Sequence, residues 1–471
     1  MAIFYQEGET KIRPGVYQRY ENIGFNPLVT AQDGYCAIPV RASWGPLGKV
    51  VKNNRVSDLT KNYGTGTYGP GYTVPAATEM FRGGAVVVYT YRLGQGGKKA
   101  SKTIDGLTVT AKYEGTMPLS VAVQKSLGDP TKKQFLVYTG TTLVETFSFV
   151  ADGANEGANL VAAAAKSKYV DVTGTDAEVS VLPVASGALA GGEDPTVTNE
   201  DYSKAFAALE PFFYNTIALD VDDDANMTLS LLLQEYKEGA YKMGKLGIAV
   251  VGEKTTVPFE DRLAHAKAFD DYKVVFLGGG YKAGAEDKDG VLAICYTAGL
   301  IASTPSNKGI THTAIEGATE LCESLTYYQY EEAIQAGMLM VSMSAEGEVW
   351  YDSAVNTFIS PADTINDEGW RKIRRTKVRF EMFDRLDRQL APKVGKVSAD
   401  TDGVADVIQT GQRVLDAMAN NEGKLFPGAT FTEDPEHPFE ADSAWFIIRA
   451  DDIDSLEKIY LRYLFRYSQN V

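Results

Sequence analysis

Cysteine is scarce in this sequence, and long apolar runs are missing from it. Its cysteines are widely spaced and form no C-x-x-C pair, which indicates neither a disulfide framework nor a zinc site: Cys36, Cys295 and Cys322. Nowhere do about 18 apolar residues follow one another, and the first residues lack the basic and apolar segments of a signal peptide. We therefore expect a chain that stays in a reducing cytosol unless lysis releases it, and that does not insert directly into a membrane.

Motifs for catalysis or cofactor binding are also sparse. No H-E-x-x-H and no G-x-S-x-G motif accompanies the three histidines, His265, His312 and His437. The glycine-rich stretches at 64–69 and 278–280 lack the context in which glycine loops bind phosphate. The acidic stretch at 220–226 lacks the glycine and the final glutamate of a calcium loop, and suits a helix start better. The sequence predicts no catalytic residue, no cofactor and no metal.

The charge balance points away from nucleic acid and towards protein partners. Lysine and arginine number 46 against 62 acidic residues, a net charge of −16 that repels a polyphosphate. Hydrophobic residues make up 44% of the 471 residues, which is ample for packed cores. At roughly 150 residues per domain, a chain of this length holds about three packed regions.

Changes in sequence texture predict an α/β multidomain chain with an inserted β-domain. Strand and helix patterns alternate over residues 21–94 and 196–358, which is typical of an α/β domain with a largely parallel sheet. Between them, residues 95–195 carry short Thr/Val-rich strands separated by turn signals, which indicates a β-rich insertion.

The last third of the chain predicts an α+β C-terminal domain over residues 359–455. It opens with a long helix at about 368–390, one side of which is apolar. Extended arms are predicted at the two chain ends, residues 1–20 and 456–471. Pro14 blocks a helix in the first arm.

The second arm has the alternation of a strand. Apolar side chains share one face from Ile459 to Tyr467, whereas Arg462 and Arg466 lie on the other. Such an apolar edge is either an internal strand of the last domain or a strand offered to another subunit. The residues expected to make inter-subunit arm contacts are Ile12, Pro14, Val16, Tyr17, Ile459, Leu461, Tyr463 and Phe465.

A basic run on the long predicted helix has two interpretations. It comprises Arg371, Lys372, Arg374, Arg375, Lys377 and Arg379. These residues can form a solvated face that pairs with nearby acids such as Asp367 and Glu368. Alternatively, they form a positive stripe that faces an acidic protein surface.

Several short motifs together resemble the contractile tail sheath proteins, especially the smaller sheaths of Gram-positive prophages and phage-tail-like bacteriocins. The similarity spans nearly the whole chain, and the order and spacing of the motifs make it specific. The motifs are RPGVY at 13–17, FRGG at 81–84, LAGG at 189–192 with DY at 201–202, AG at 336–337, VNT at 355–357 and VGKV at 394–397.

The resemblance implies a structural subunit that polymerises helically around an inner tube and contracts to drive the tube through a cell envelope. It implies a subtilisin-like but non-catalytic α/β domain, an outward-facing insertion, and a tube-proximal C-terminal domain whose basic helix faces the tube. Terminal arms would add strands to neighbouring subunits. The implied partners are further copies of the chain, in helical and hexameric-ring arrangement, the inner tail tube protein, and the baseplate and tail terminator proteins.

The same resemblance implies assembly in the bacterial host cytoplasm and release by lysis, as part of a virion tail or a phage-tail-like particle. Two alternatives remain open at the level of sequence. One is a serine hydrolase on the subtilisin-like α/β region. The other is an adhesive structural protein on the surface of the same particle.

Overall fold

The computed structural model describes residues 31–65, 71–174, 181–222, 226–360, 368–437 and 439–465. It also describes the backbone of two short strands near the start of the chain, β1 (Ile3–Phe4) and β2 (Tyr17–Gln18), which pair in parallel. No helix within these residues is both long and apolar enough to cross a membrane.

The first part of the α/β region places a buried strand between glycine-rich turns. Its elements are β3 (Tyr35–Val40), β4 (Val50–Asn53), α1 (Val56–Tyr63), α2 (Val74–Arg82) and β5 (Val87–Arg92). Every residue of β5 is buried, as a glycine-bounded run of β-branched and aromatic residues predicts.

The predicted β-rich region is confirmed as two packed sheets. Its elements are β6 (Ser101–Ile104), β7 (Leu107–Ala111), β8 (Leu119–Lys125), β9 (Lys132–Thr139), β10 (Thr142–Val150), α3 (Glu156–Ala164), β11 (Val170–Thr173) and β12 (Ala185–Ala188). One sheet has the strand order β10-β9-β8-β12 and the other β11-β7-β6. Alternate residues of β7 and β8 point into a shared core, the pattern of a β-sandwich.

The chain then returns to alternating strands and helices. These are α4 (Asn199–Leu209), β13 (Thr216–Ala218), α5 (Asn226–Lys242), β14 (Ile248–Gly252), α6 (Phe259–Phe269), β15 (Val274–Leu277), β16 (Tyr281–Ala283), β17 (Glu286–Lys288), α7 (Val291–Ser303), β18 (Glu320–Leu321), α8 (Tyr327–Gln335), β19 (Met338–Leu339), β20 (Val341–Met343) and β21 (Val349–Tyr351).

Both parts of the α/β region contribute to one seven-stranded sheet of order β19-β15-β14-β13-β3-β5-β4. All its strand pairs are parallel except β4 with β5. Helices cover both faces, with α2 and α7 in one core and α4, α5 and α6 in the other. This is a mixed α/β fold, and its largely parallel sheet confirms the prediction from alternating elements.

Glycine allows α2 and α7 to pack very closely. A Cβ built on Gly299 would lie 2.1 Å from the carbonyl oxygen of Met80, and one on Gly83 would lie 2.2 Å from that of Tyr296. The two helix backbones therefore nearly touch, and this leaves no room for a side chain at either position. This crossing anchors one side of the central sheet.

The C-terminal region combines two helices with a hairpin. Its elements are α9 (Ile373–Leu390), preceded by a 3₁₀ turn at Glu368–Arg371, then α10 (Thr401–Asp416), β22 (Thr430–Glu433) and β23 (Phe446–Arg449). The long predicted helix is therefore confirmed from Ile373 onwards. The predicted strand at 459–467 is wrong as an internal strand, because residues 453–465 belong to no strand.

Candidate assembly interface

The described end of the chain is an exposed apolar segment. Ile459, Leu461, Tyr463 and Phe465 are 71%, 70%, 71% and 90% exposed. Because they belong to no strand of their own chain, the alternation that predicts a strand has no partner within it. A strand needs a neighbouring strand to satisfy its backbone groups. The segment therefore has the sequence of a strand and the exposure of an unpaired one.

The C-terminal hairpin is a second place where strand pairing is incomplete. Strands β22 and β23 pair only with each other among the described residues, in the register Phe431 to Ile448. The outer edge of β22 is partly covered by α10, because the amide of Phe431 donates to the side-chain oxygen of Gln412 at 2.9 Å. The free edge of the hairpin is therefore that of β23. Nearby apolar side chains remain in solvent, with Trp445 43% exposed and Phe426 53% exposed. A short two-stranded sheet of this kind is a template for a further strand.

The chain between the hairpin and the exposed segment is bound to helix α9 by acidic side chains. Asp452 accepts hydrogen bonds from Arg375 at 2.6 and 2.9 Å and from Arg379 at 2.9 Å. Glu457 pairs with Lys372 and accepts a hydrogen bond from Thr311 at 3.0 Å. We call residues 452–457 the acidic linker.

Backbone contacts hold the start of the acidic linker to the rest of the C-terminal region. Asp452 forms an antiparallel bridge with Leu425, and the amide of Ile453 donates to the carbonyl oxygen of Lys424 at 3.0 Å. Side-chain contacts then continue along the linker, where Arg374 donates to the hydroxyl of Ser455 at 3.3 Å. The linker is thus fixed at both of its ends.

The basic run predicted to face a tube is not a free stripe in this chain. All six of its side chains are buried or half-buried, and each contacts another part of the same chain. Arg371 donates to the carbonyl oxygens of Ile334 and Gln335. Among the described residues, the run forms ion pairs with the acidic linker, between Lys372 and Glu457 and between Asp452 and both Arg375 and Arg379. Of the two acids named from the sequence, Asp367 lies outside the described residues.

Lys377 of this run is buried and caps another helix. Its ammonium donates to the carbonyl oxygens of Ile301 and Thr304, at the C-terminal end of α7, where helix carbonyls lack internal partners. Burial lowers the pKa of Lys377 to about 8, against the opposing charges of Asp33 and Glu381. This residue joins α9 to the central region and has no exposed charge to offer a partner.

Of the residues predicted for the N-terminal arm, only Tyr17 lies in the described part of the chain. Ile12, Pro14 and Val16 lie outside the described residues. The backbone of Tyr17 belongs to β2, where it is the register partner of Ile3. Their role in an inter-subunit arm stays a prediction.

The three histidines have ordinary partners. His265 Nδ1 lies 2.9 Å from a carboxylate oxygen of Glu253, and His437 Nδ1 lies 2.9 Å from Asp434. The ring of His312 stacks on Trp350 at a centroid distance of 4.1 Å. These carboxylate and aromatic contacts account for the histidines without a catalytic role.

The carboxyl edge of the central sheet, where α/β folds commonly bind ligands, is occupied by side chains of the chain itself. Asp220 is fully buried there and accepts hydrogen bonds from Arg41, Thr73 and Tyr202 at 2.9, 2.7 and 2.6 Å. Among the described residues, no group of three or more histidine, cysteine or acidic side chains could hold a metal ion. Asp220 therefore serves as an internal hydrogen-bond acceptor.

Two protein-family models match this chain. Residues 95–194 match the phage tail sheath protein beta-sandwich domain, and residues 196–357 match the phage tail sheath protein central domain. The first match covers the two sheets β10-β9-β8-β12 and β11-β7-β6. The second covers most of the α/β region.

Two curated proteins of Bacillus subtilis (strain 168) are related over most of their length. The uncharacterized protein YqbK is 23% identical over 89% of this chain and 90% of its own. The phage-like element PBSX protein XkdK is 22% identical over 82% of this chain and 80% of its own.

Solved structures share the fold. A sheath tail protein from Desulfitobacterium hafniense superposes with a TM-score of 0.71 at 21% identity, covering 93% of this chain and all of that one. A sheath tail protein from Listeria innocua gives 0.69 at 19% identity, covering 90% and 96%. The sheath complex of an extracellular contractile injection system, in its contracted state, gives 0.57 at 9% identity, covering 97% and 98%. Since the two family models together match more than half of its residues, this chain belongs to the phage tail sheath protein family.

Proposed function

We propose that this chain is the structural subunit of a contractile tail sheath, part of a phage tail or of a contractile injection particle. The observation that carries the proposal is a chain with the fold of sheath proteins whose last described segment is an apolar, unpaired strand sequence. Self-assembly is the function that such a segment supports. In this role the chain supplies contact surfaces for other subunits, and the family it belongs to consists of structural proteins.

Strand addition between copies is the proposed assembly contact. Residues 458–465 would lie along a free edge of the β22–β23 hairpin of another copy, with alternate apolar side chains on the exposed apolar groups around Trp445 and Phe426. An eight-residue strand spans about 26 Å at 3.3 Å per residue. A head-to-tail contact builds an open helix of subunits when its rotation does not close a ring.

The finer assignments of partners and place rest on the family. We propose that the subunits form hexameric rings stacked around an inner tail tube, bounded by baseplate and tail terminator proteins, after assembly in the host cytoplasm. Contraction would exchange one set of contacts between subunit bodies for a better set, while the arms stay paired. A tube-facing role for the basic run at 371–379 would require the tube to compete with the acidic linker for those side chains.

The α/β region is proposed to have a subtilisin-like arrangement without hydrolytic activity. Its parallel sheet with helices on both faces supports the fold, and fold alone does not imply proteolysis. Neither the serine hydrolase nor the surface adhesin is favoured, since the histidines have structural partners and residues 95–194 match a sheath domain.

Electron microscopy of the purified chain tests the proposal. We expect the full chain to form hollow helical cylinders, and a chain lacking residues 458–471 to remain a folded monomer because the exposed arm makes no strand with its own body. A chain lacking residues 1–17 is expected to behave in the same way. Cylinders formed normally by the truncated chains would refute strand addition, and a full chain that never polymerises would refute the sheath assignment.

A further inference from the structure

The acidic linker crosses a boundary between two regions of the chain. At one end Asp452 is held by α9 and by the strand-like bridge to Leu425. At the other end Glu457 lies between Lys372, the residue before α9, and Thr311 of a loop in the α/β region. The exposed apolar segment begins directly after this second contact. The contacts therefore lie at the root of the proposed arm.

The arginines under the linker need its acids in order to stay buried. Arg374 is 7% exposed, and its Nε has no hydrogen-bond partner. Burial lowers the pKa of Arg374, whereas the negative charges of Asp454, Asp452 and Glu457 oppose that shift. Burying a cation without a counter-charge costs free energy of folding. The basic side chains of α9 and the acids of the linker therefore complement each other in charge.

Asp452 in turn depends on the arginines of α9 for its charge, because it is only 9% exposed. Burial disfavours its charged form, but the hydrogen bonds and charges of Arg375 and Arg379 outweigh burial, so the pKa of Asp452 lies below its usual range. The guanidinium of Arg379 is itself held in place, 4.4 Å above the ring of Trp370. Asp452 thus binds to a surface that is already ordered.

We propose that the acidic linker is a clasp, which fixes the root of the C-terminal arm to α9 and to the loop around Thr311. When a second copy of the chain pulls on residues 458–465, the clasp carries the load into both regions and prevents the arm from peeling off its own subunit. The existence of the clasp does not depend on the proposed function, whereas its load-bearing role does.

The geometry explains why two separated acids are used. Asp452 holds the linker to the first two turns of α9, and Glu457 holds it to Lys372, the residue before the helix, and to the α/β region. A pull directed away from α9 must break charge-assisted hydrogen bonds, which are stronger than neutral ones. The part of the basic run that contacts the linker is thereby explained as the anchor of the arm, and it consists of Lys372, Arg374, Arg375 and Arg379.

Neutral variants of the two acids test the clasp in the monomeric chain. The amides of Ile453 and Ser455 donate to the carbonyl oxygen of Lys424 and to the side chain of Asp454. We expect hydrogen exchange at these two amides to be about tenfold faster in Asp452→Asn and in Glu457→Gln than in the wild type. Asp451→Asn is the matched control, since Asp451 is exposed and adjacent to the linker. Exchange in Asp452→Asn and Glu457→Gln no faster than in this control would overturn the clasp.

Partial unfolding of α9 in Asp452→Asn, seen by circular dichroism, would remove that variant from the comparison. Glu457→Gln then decides alone, because Glu457 is half-buried and meets α9 at its first residues. Unchanged exchange in Glu457→Gln would overturn the clasp at that end.

A second measurement tests the load-bearing role. Cylinders assembled from Glu457→Gln should dissociate at a lower urea concentration than cylinders from Asp451→Asn. Equal urea resistance would overturn the load-bearing role and leave the clasp in place. If no chain polymerises, including the wild type, then the proposed function fails, while the exchange measurement still decides whether the clasp exists.

Discussion

The central sheet and the C-terminal hairpin complete their strand pairing to different extents. In the central sheet, seven strands pair with one another, and helices bury both faces of the inner strands. The hairpin has two strands, with Trp445 and Ile448 43% and 38% exposed beside it. The central sheet buries its apolar surface within one chain, whereas the hairpin and the arm leave theirs in solvent, where we propose that another copy binds.

This difference predicts where a substitution affects folding and where it affects assembly. Changes in the central region should lower the stability of the monomer, because its strands and helices pack on one another in two buried cores. Changes in the arm should leave the monomer intact and act only on the polymer. The three predictions that follow run from the largest expected change in the free energy of unfolding to the smallest.

The closest helix crossing gives the largest expected effect. Gly299→Ala would place a Cβ 2.1 Å from the carbonyl oxygen of Met80, so α2 and α7 must move apart. Forcing such a contact in a packed core costs on the order of 3 kcal/mol or more. We expect the thermal unfolding temperature of the monomer to fall clearly in scanning calorimetry.

Gly239→Ala is the matched control for this substitution. Gly239 lies within α5, and a Cβ there meets nothing within 4 Å. Alanine is favoured over glycine inside a helix by about 1 kcal/mol, so this variant should be slightly more stable. If Gly299→Ala were as stable as the control, the close crossing of α2 and α7 would not exist.

Local sequence signals were sufficient for much of the central region. Helix α6 follows Pro258 and carries an apolar periodicity over Phe259–Phe269, so its own residues are enough to indicate it. Strand β13 has three residues, and so short an element shows no periodicity. The apolar run 338–343 has the composition of one strand, yet it divides between β19 in the central sheet and β20 in a hairpin with β21. Distant partners decide that division.

The acidic linker was missed for a similar reason. The sequence suggests neighbouring acids such as Glu368 as partners of the basic run, whereas Asp452 is 77 residues from Arg375 along the chain. A signal was present, because the acids of residues 451–454 directly precede the apolar arm. Only the fold brings them onto α9.

An intermediate effect is expected from a buried lysine beside the central sheet. Lys237 of α5 is 1% exposed, its ammonium lies 5.0 Å from the centre of the Tyr214 ring, and its Nζ has no hydrogen-bond partner. Burial and the nearby charge of Lys273 lower its pKa to about 7, against the opposing charge of Asp271. The unfolded chain holds this proton up to about pH 10.4.

Lys237→Met should therefore stabilise the monomer in a pH-dependent manner. Below pH 7 both states of the wild type are protonated, so the folded state bears the full cost of a buried charge, on the order of a few kcal/mol. Between pH 7 and pH 10 the folded state alone loses the proton, and wild-type stability rises. The advantage of the variant, measured by urea unfolding, should be largest at pH 6 and smallest at pH 10.

Lys242→Met controls for the loss of a lysine from the same helix. Its side chain is 73% exposed and pairs with Glu238, so its removal should change stability by less than about 0.5 kcal/mol at every pH. An advantage of Lys237→Met that stayed constant from pH 6 to pH 10 would contradict a lysine that loses its proton in the folded state.

The arm should show the smallest effect on stability and the clearest effect on assembly. Leu461 is 70% exposed, so the monomer gains little from its burial. Leu461→Asp should therefore change the free energy of unfolding by less than about 0.5 kcal/mol. In a polymer the same side chain is proposed to lie on the hairpin of another copy, where a carboxylate would lose its hydration without gaining a partner.

Leu127→Asp is the matched control, because it makes the same exchange at a fully exposed leucine of the β-sandwich region. Electron microscopy should show cylinders for Leu127→Asp and none for Leu461→Asp, while both monomers unfold like the wild type. Loss of cylinders in both variants would mean that an added surface charge is enough to block assembly, and the arm would then have no special part in it.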